Sequence, residues 1–170
     1  MRDEVIWKVR TLVKKFKEDI SPYRGGREHE FYERHKPYEV VQKEGNVLLN
    51  AGIDELWDLV TGAGGTAYSS ANAHIGVGDS SAAADASQTD LQGTNKKWNP
   101  MDAGYPTSTN QKATWRASFA DGDANFTWNE WGVCNASGTG AGGVLLNRKV
   151  ENLGTKNGGT WQLTVEISLS

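Results

Sequence analysis

The last eleven residues, 160–170, read TWQLTVEISLS, and their alternation decides the fold class. Trp161, Leu163, Val165, Ile167 and Leu169 fall on every second position, with Gln162, Thr164, Glu166 and Ser168 between them. A period of two sends the apolar set to one face of a strand and the polar set to the other. Such a strand is half buried, as in an antiparallel sandwich or barrel. Upstream, Lys156-Asn157-Gly158-Gly159 supplies hairpin chemistry, because Asn and Gly tolerate positive φ. VLLNRKVENLG (144–154), FTWNEWGVCN (126–135), QKATWRASFA (111–120), KKWNPMD (96–102) and AHIGVGDSS (73–81) read as further strands separated by turn signals. In 111–120, Trp115, Ala117 and Phe119 alternate with Thr114, Arg116 and Ser118. PYEVVQKEG (37–45) is a short strand. In 46–62, Ile53, Leu56, Trp57 and Val60 fit helical spacing, with Gly62 where a C-cap glycine belongs. Residues 81–93 form a short helix or a long excursion. Many short strands without intervening helical repeats predict a mainly β protein, an antiparallel β-sandwich or jelly-roll-like domain.

The N-terminal part has a different composition. Residues 1–50 hold eleven of the 18 Lys/Arg and nine of the 21 Asp/Glu, but only Gly25, Gly26 and Gly45 of the 20 glycines. Val5, Val9, Leu12 and Phe16 follow i, i+4, i+7, i+11, which predicts an amphipathic helix over 3–19 that ends at Ser21-Pro22. Residues 23–37 are highly charged and read as an arm or linker, ordered on a partner. The expected organisation is an N-terminal helix and charged arm over 1–45 and a β-sandwich domain over 46–170. Val5, Val9, Leu12 and Phe16 are then the expected partner-binding residues.

Composition narrows the function classes. No stretch approaches 18 consecutive apolar residues, so no membrane span is expected. The N-terminus lacks the apolar core and cleavage site of a secretory signal. The single cysteine, Cys134, excludes an intrachain disulfide, and a net charge of −3 gives no argument for nucleic-acid binding.

Candidate chemistry is sparse. Gly138–Gly143 (GTGAGG) matches G-x-G-x-x-G, but a strand pattern follows it, whereas a dinucleotide site needs a helix. His29 and His35 lie among Glu28, Glu30 and Glu33 without a second cluster to complete a metal site. Asp79, Asp85, Asp90, Asp102, Asp121 and Asp123 do not form a calcium loop and read as turn residues. Asp121, Asp123 and Glu130 are the carboxylates a glycosidase would need. Cys134 reads as a small core residue and His74 as a structural one. Of Trp98, Trp115, Trp128, Trp131 and Trp161, the pair Trp128 and Trp131 are three apart. On a regular strand they face opposite sides, so one is expected at the surface or an interface. No enzyme activity, metal or cofactor is expected.

The segments EGNVLLNAGIDELWDLV, AHIGVGDSS, SQTDLQG, FTWNEWGVCN, LLNRKVENLGTK and TWQLTVEISLS, in this order, resemble a family of small β-rich virion structural proteins of tailed bacteriophages. The likeness covers about residues 39–170. It implies a non-enzymatic particle component, assembled in the host bacterial cytoplasm. The expectation is a capsid decoration or cement protein bound to the major capsid protein, with the arm contacting neighbouring subunits. A homo-oligomer is expected, with a trimer as one form. The alternative is a tail- or fibre-associated module that binds a receptor or glycan through an exposed Trp and the 135–143 loop.

Overall fold

The computed structural model describes residues 7–169. Its strands are β1 (Trp7–Phe16), β2 (Glu39–Glu44), β3 (Val47–Leu48), β4 (His74–Gly78), β5 (Lys96–Pro100), β6 (Thr107–Thr109), β7 (Lys112–Phe119), β8 (Thr127–Cys134), β9 (Asn147–Thr155) and β10 (Thr160–Leu169). Two helices, α1 (Glu28–Arg34) and α2 (Asn50–Thr61), complete the set with two single 3₁₀ turns. The described strands form two five-stranded sheets, β2-β1-β10-β7-β6 and β3-β9-β8-β4-β5, and every pairing between them is antiparallel. This is a β-sandwich.

The alternation in β10 is realised: Trp161, Leu163, Val165 and Ile167 are buried between the sheets. They meet Ala117 and Phe119 of β7, Val9 and Val13 of β1, and Trp128, Trp131 and Val133 of β8. Phe119, Trp128 and Trp161 pack edge to face, with centroids 4.8 and 4.9 Å apart. That geometry suits the ring quadrupoles. Gly62 ends α2 at φ 73°, as its sequence position requires. Residues 81–93 cross the outside of the second sheet as an irregular excursion.

The N-terminal segment differs from the expected helix. Residues 7–16 form a strand, paired with β10 along its whole length from Trp7↔Leu169 to Phe16↔Thr160, and with β2 on its other side. Trp7, Val9, Thr11, Val13 and Lys15 supply a period of two that coexists with the helical spacing. Local sequence satisfies both; ten cross-strand partners satisfy only the strand. A boundary at residue 45 therefore cuts through the first sheet. Val9 and Phe16 are buried within the chain, Leu12 is half-buried, and Val5 lies outside the described residues. Val9 and Phe16 are thus core residues rather than anchors for a partner.

The charged arm is also ordered within the fold. Phe31 of α1 is fully buried against Phe16, Ile20 and Ala120, with its ring centroid 5.2 Å from that of Phe16. The Glu28 carboxylate accepts from the Gly25 and Gly26 N–H groups, both at 3.0 Å, closing the glycine pair into a turn. α1 thereby covers the outer face of the first sheet, which is why Gln162 is buried although it lies on the polar side of β10.

Candidate functional site

The carboxylates singled out by sequence do not converge on an open cleft. Glu130 and Arg148 are both fully buried on the outer face of the second sheet, Nε to Oε2 2.6 Å. The Gln92 and Gly93 N–H groups also donate to Glu130, at 3.0 and 2.6 Å. Arg148 spends its remaining donors on Ala82 O, Ala83 O and Gln88 Oε1. The pair clamps the 81–93 excursion onto the sheet. Asp121 accepts from Gly159 N, and Asp123 from Asn99 Nδ2 and Ala120 N. These are turn duties, and a sealed Glu130 does not reach a substrate.

The other candidates are equally absorbed. Gly138–Gly143 forms a 3₁₀ turn between β8 and β9, and a Cβ on Gly138 would press on the Trp98 indole. Cys134 is buried, and burial pushes its thiol up from the ordinary value. His74 Nδ1 lies 2.9 Å from Asn72 O. His35 lies 3.8 Å from the Glu18 carboxylate. Among the described residues no three His, Cys, Asp or Glu side chains gather as metal ligands.

Trp128 and Trp131 are both fully buried, against the expectation that they face opposite sides. The register between β8 and β9 shifts between Trp128 and Glu130. A bulge of this kind breaks the alternation and turns both indoles inward. The exposed tryptophan is instead Trp57, 62% accessible on α2, with Val60 beside it at 74%. The opposite face of α2 is held down. Leu56 and Leu59 pack on the core, and Gly52 lies so close to the Leu146 backbone that a Cβ would collide. Glu55 Oε1 accepts from Asn135 Nδ2 at 2.8 Å and from Thr66 N, tying the following loop to β8's end. Trp57 and Val60, three residues apart and so on one helix face, stand on a fixed platform flanked by Asp54 and Asp58.

A second feature is a polar cleft of about 360 Å³ beneath α1, lined by Glu28, His29, Tyr32, Glu33, Asp102 and Arg116 among others. Arg116 Nε donates to Asp102 at 3.0 Å, and its guanidinium lies 4.1 Å from the Tyr105 ring centre. Ser118 and Gln162 also donate to Asp102, yet burial raises the carboxyl above its ordinary value. Burial likewise raises the Tyr32 phenol to about 12, and Tyr32 shares a hydrogen bond with Ser118. Arg116, Ser118 and Gln162 were legible as outward-facing strand positions, but Tyr32 joins them only through the docking of α1. No family model matches the chain, and neither a curated protein nor a solved structure matches it.

Proposed function

We propose that this chain is a bacteriophage virion structural protein, a capsid decoration or cement protein bound to the major capsid protein. The observation that carries the reading is the Trp57–Val60 patch on α2. A large aromatic side chain left exposed on a helix locked to a tightly packed sandwich suits a protein–protein contact, where Trp is enriched. The resemblance of residues 39–170 to small virion proteins adds to it. The nesting of the β1–β10 and β3–β9 antiparallel pairs on opposite sheets supports a jelly-roll-like reading of the sandwich. Attachment runs through α2, since β1 belongs to the core.

The test is occupancy. Virions of the encoding phage should carry the chain in fixed proportion to the major capsid protein. Copies with Trp57→Ser and Val60→Ser should keep the wild-type melting temperature but wash off the particle. Full retention of that variant, or absence of the chain from purified virions, refutes the reading.

A second reading, a tail- or fibre-associated module that binds a glycan, is favoured by the cleft beneath α1. It joins the Tyr32 ring, the Arg116 guanidinium and the Asp102 carboxyl in a pocket of sugar size. Glycan-array binding lost in Arg116→Gln would select it.

A further inference from the structure

The two sheets end at four strands, β2 and β6 in one and β3 and β5 in the other. β6 has three residues and β3 two. β5 reads KKWNP and carries Lys96, Lys97 and Pro100. Short strands, lysines and proline are the usual guards against edge pairing. β2, EVVQKE, is six residues long and contains no proline; its interior-side charges, Glu39 and Lys43, are of opposite sign, and Val40, like Tyr38 just before the strand, is 53% exposed.

The backbone of β2 divides by parity. Gly45 N–H donates to Val9 O at 2.9 Å, and such bonds recur at every second residue of an antiparallel ladder. With Thr11↔Lys43 and Val13↔Val41 in register, Lys43 and Val41 turn their N–H and C=O groups towards β1. Val40 and Gln42 turn theirs away from the sheet. The Glu44 carbonyl is already taken, accepting from Lys149 Nζ at 2.8 Å.

We infer that two copies of this chain join antiparallel along β2, with Val41 opposite Val41 of the second copy. Parity admits only registers in which even residues face even residues. A register shifted by two, Val40 opposite Glu44, needs the carbonyl that Lys149 occupies. The Val41-centred register needs only Val40 and Gln42, which exchange four backbone hydrogen bonds across the two-fold axis.

Charge selects the same register. It sets Glu39 opposite Lys43 of the second copy, on the side of the sheet that faces the sandwich interior. Within each chain Lys15 already pairs with Glu39 at 2.9 Å and Lys43 with Glu151 at 2.6 Å. The dimer would link these into alternating rows, Lys15–Glu39–Lys43–Glu151, twice. The same contact covers Val40 and places Tyr38 against Glu44. It requires nothing of the particle assignment.

The test is sedimentation equilibrium of the full chain at up to about 0.1 mM, a range that reports micromolar association. The wild type should form a dimer. Gln42→Pro removes an outward N–H without touching the β1 ladder, and should weaken dimerisation by about tenfold or more at an unchanged melting temperature. Glu39→Lys and Lys43→Glu should each be monomeric alone, because each opposes like charges. An equal mixture of the two should recover a mixed dimer, because both contacts then pair opposite charges. This complementation decides the matter should Gln42→Pro fail to fold. A monomeric wild type at 0.1 mM overturns the inference. So does a dimer indifferent to these substitutions, including one lost only with Trp57→Ser.

Discussion

Glu130 and Arg148 form an ion pair in which neither side chain is accessible to water, the guanidinium Nε standing 2.6 Å from the carboxylate. The sandwich's outer face is therefore closed over a charge pair that owes its tolerance to complete coordination. The two backbone N–H groups on Glu130 and the three acceptors around Arg148 supply it.

Breaking that pair from one side should be severe. Arg148→Met leaves a buried carboxylate without its cation and releases residues 82–88, at a cost of about 3–5 kcal/mol. Glu130→Gln with Arg148→Met removes both charges and should recover part of the loss, since the desolvation penalty disappears with the charges. Urea unfolding of Arg148→Met, of Glu130→Gln and of the double variant measures the coupling. Strictly additive losses would show that the clamp is not a unit.

Residues 46–170 alone should not unfold cooperatively. Removing 1–45 deletes both β1 and β2, opens the full edge of β10, and strips Val9, Val13 and Phe16 from the core. In the full chain, Val13→Asp should cost several kcal/mol, as an unpaired charge buried between the sheets. Lys8→Asp, at an exposed strand position facing outward, should be mild. A sharp β-type circular dichroism melt for 46–170 would show β1 to be dispensable.

Acid should loosen the base of the excursion between β4 and β5, where Asp79 meets Asn95. Asp79 accepts from the Asn95 side chain and backbone, at 2.6 and 3.1 Å, and these bonds hold its carboxyl below the ordinary 3.8. A depressed native pKa means that the unfolded chain binds the proton first. The stabilisation is present above 3.8 and is lost as pH falls through the lower native value. Asp79→Asn should therefore reduce the melting temperature near neutral pH and converge with the wild type in strong acid. A difference that is constant with pH would assign the effect to shape rather than to charge.

By itself the sequence determined the sheet chemistry and its punctuation. The alternation of β10 and β7 survives in the buried faces, and Gly62, Gly158 and Gly159 sit at positive φ where the turns were read. These features are local, since side-chain period and φ preference belong to neighbouring residues. Tertiary structure decided the rest. Val9, Leu12 and Phe16 fit a helix as well as a strand, and pairing with residues about 150 positions away chose the strand. A bulge turned Trp131 inward and left Trp57 as the exposed indole. Charges that look like turn residues or a catalytic set became anchors, because Glu130 meets Arg148 only once β8 and β9 pair, and Asp102 meets Gln162 only once the segment after β5 reaches the first sheet. Periodicity reports which face a residue takes along its own strand; it carries no information about which distant group will be there to meet it.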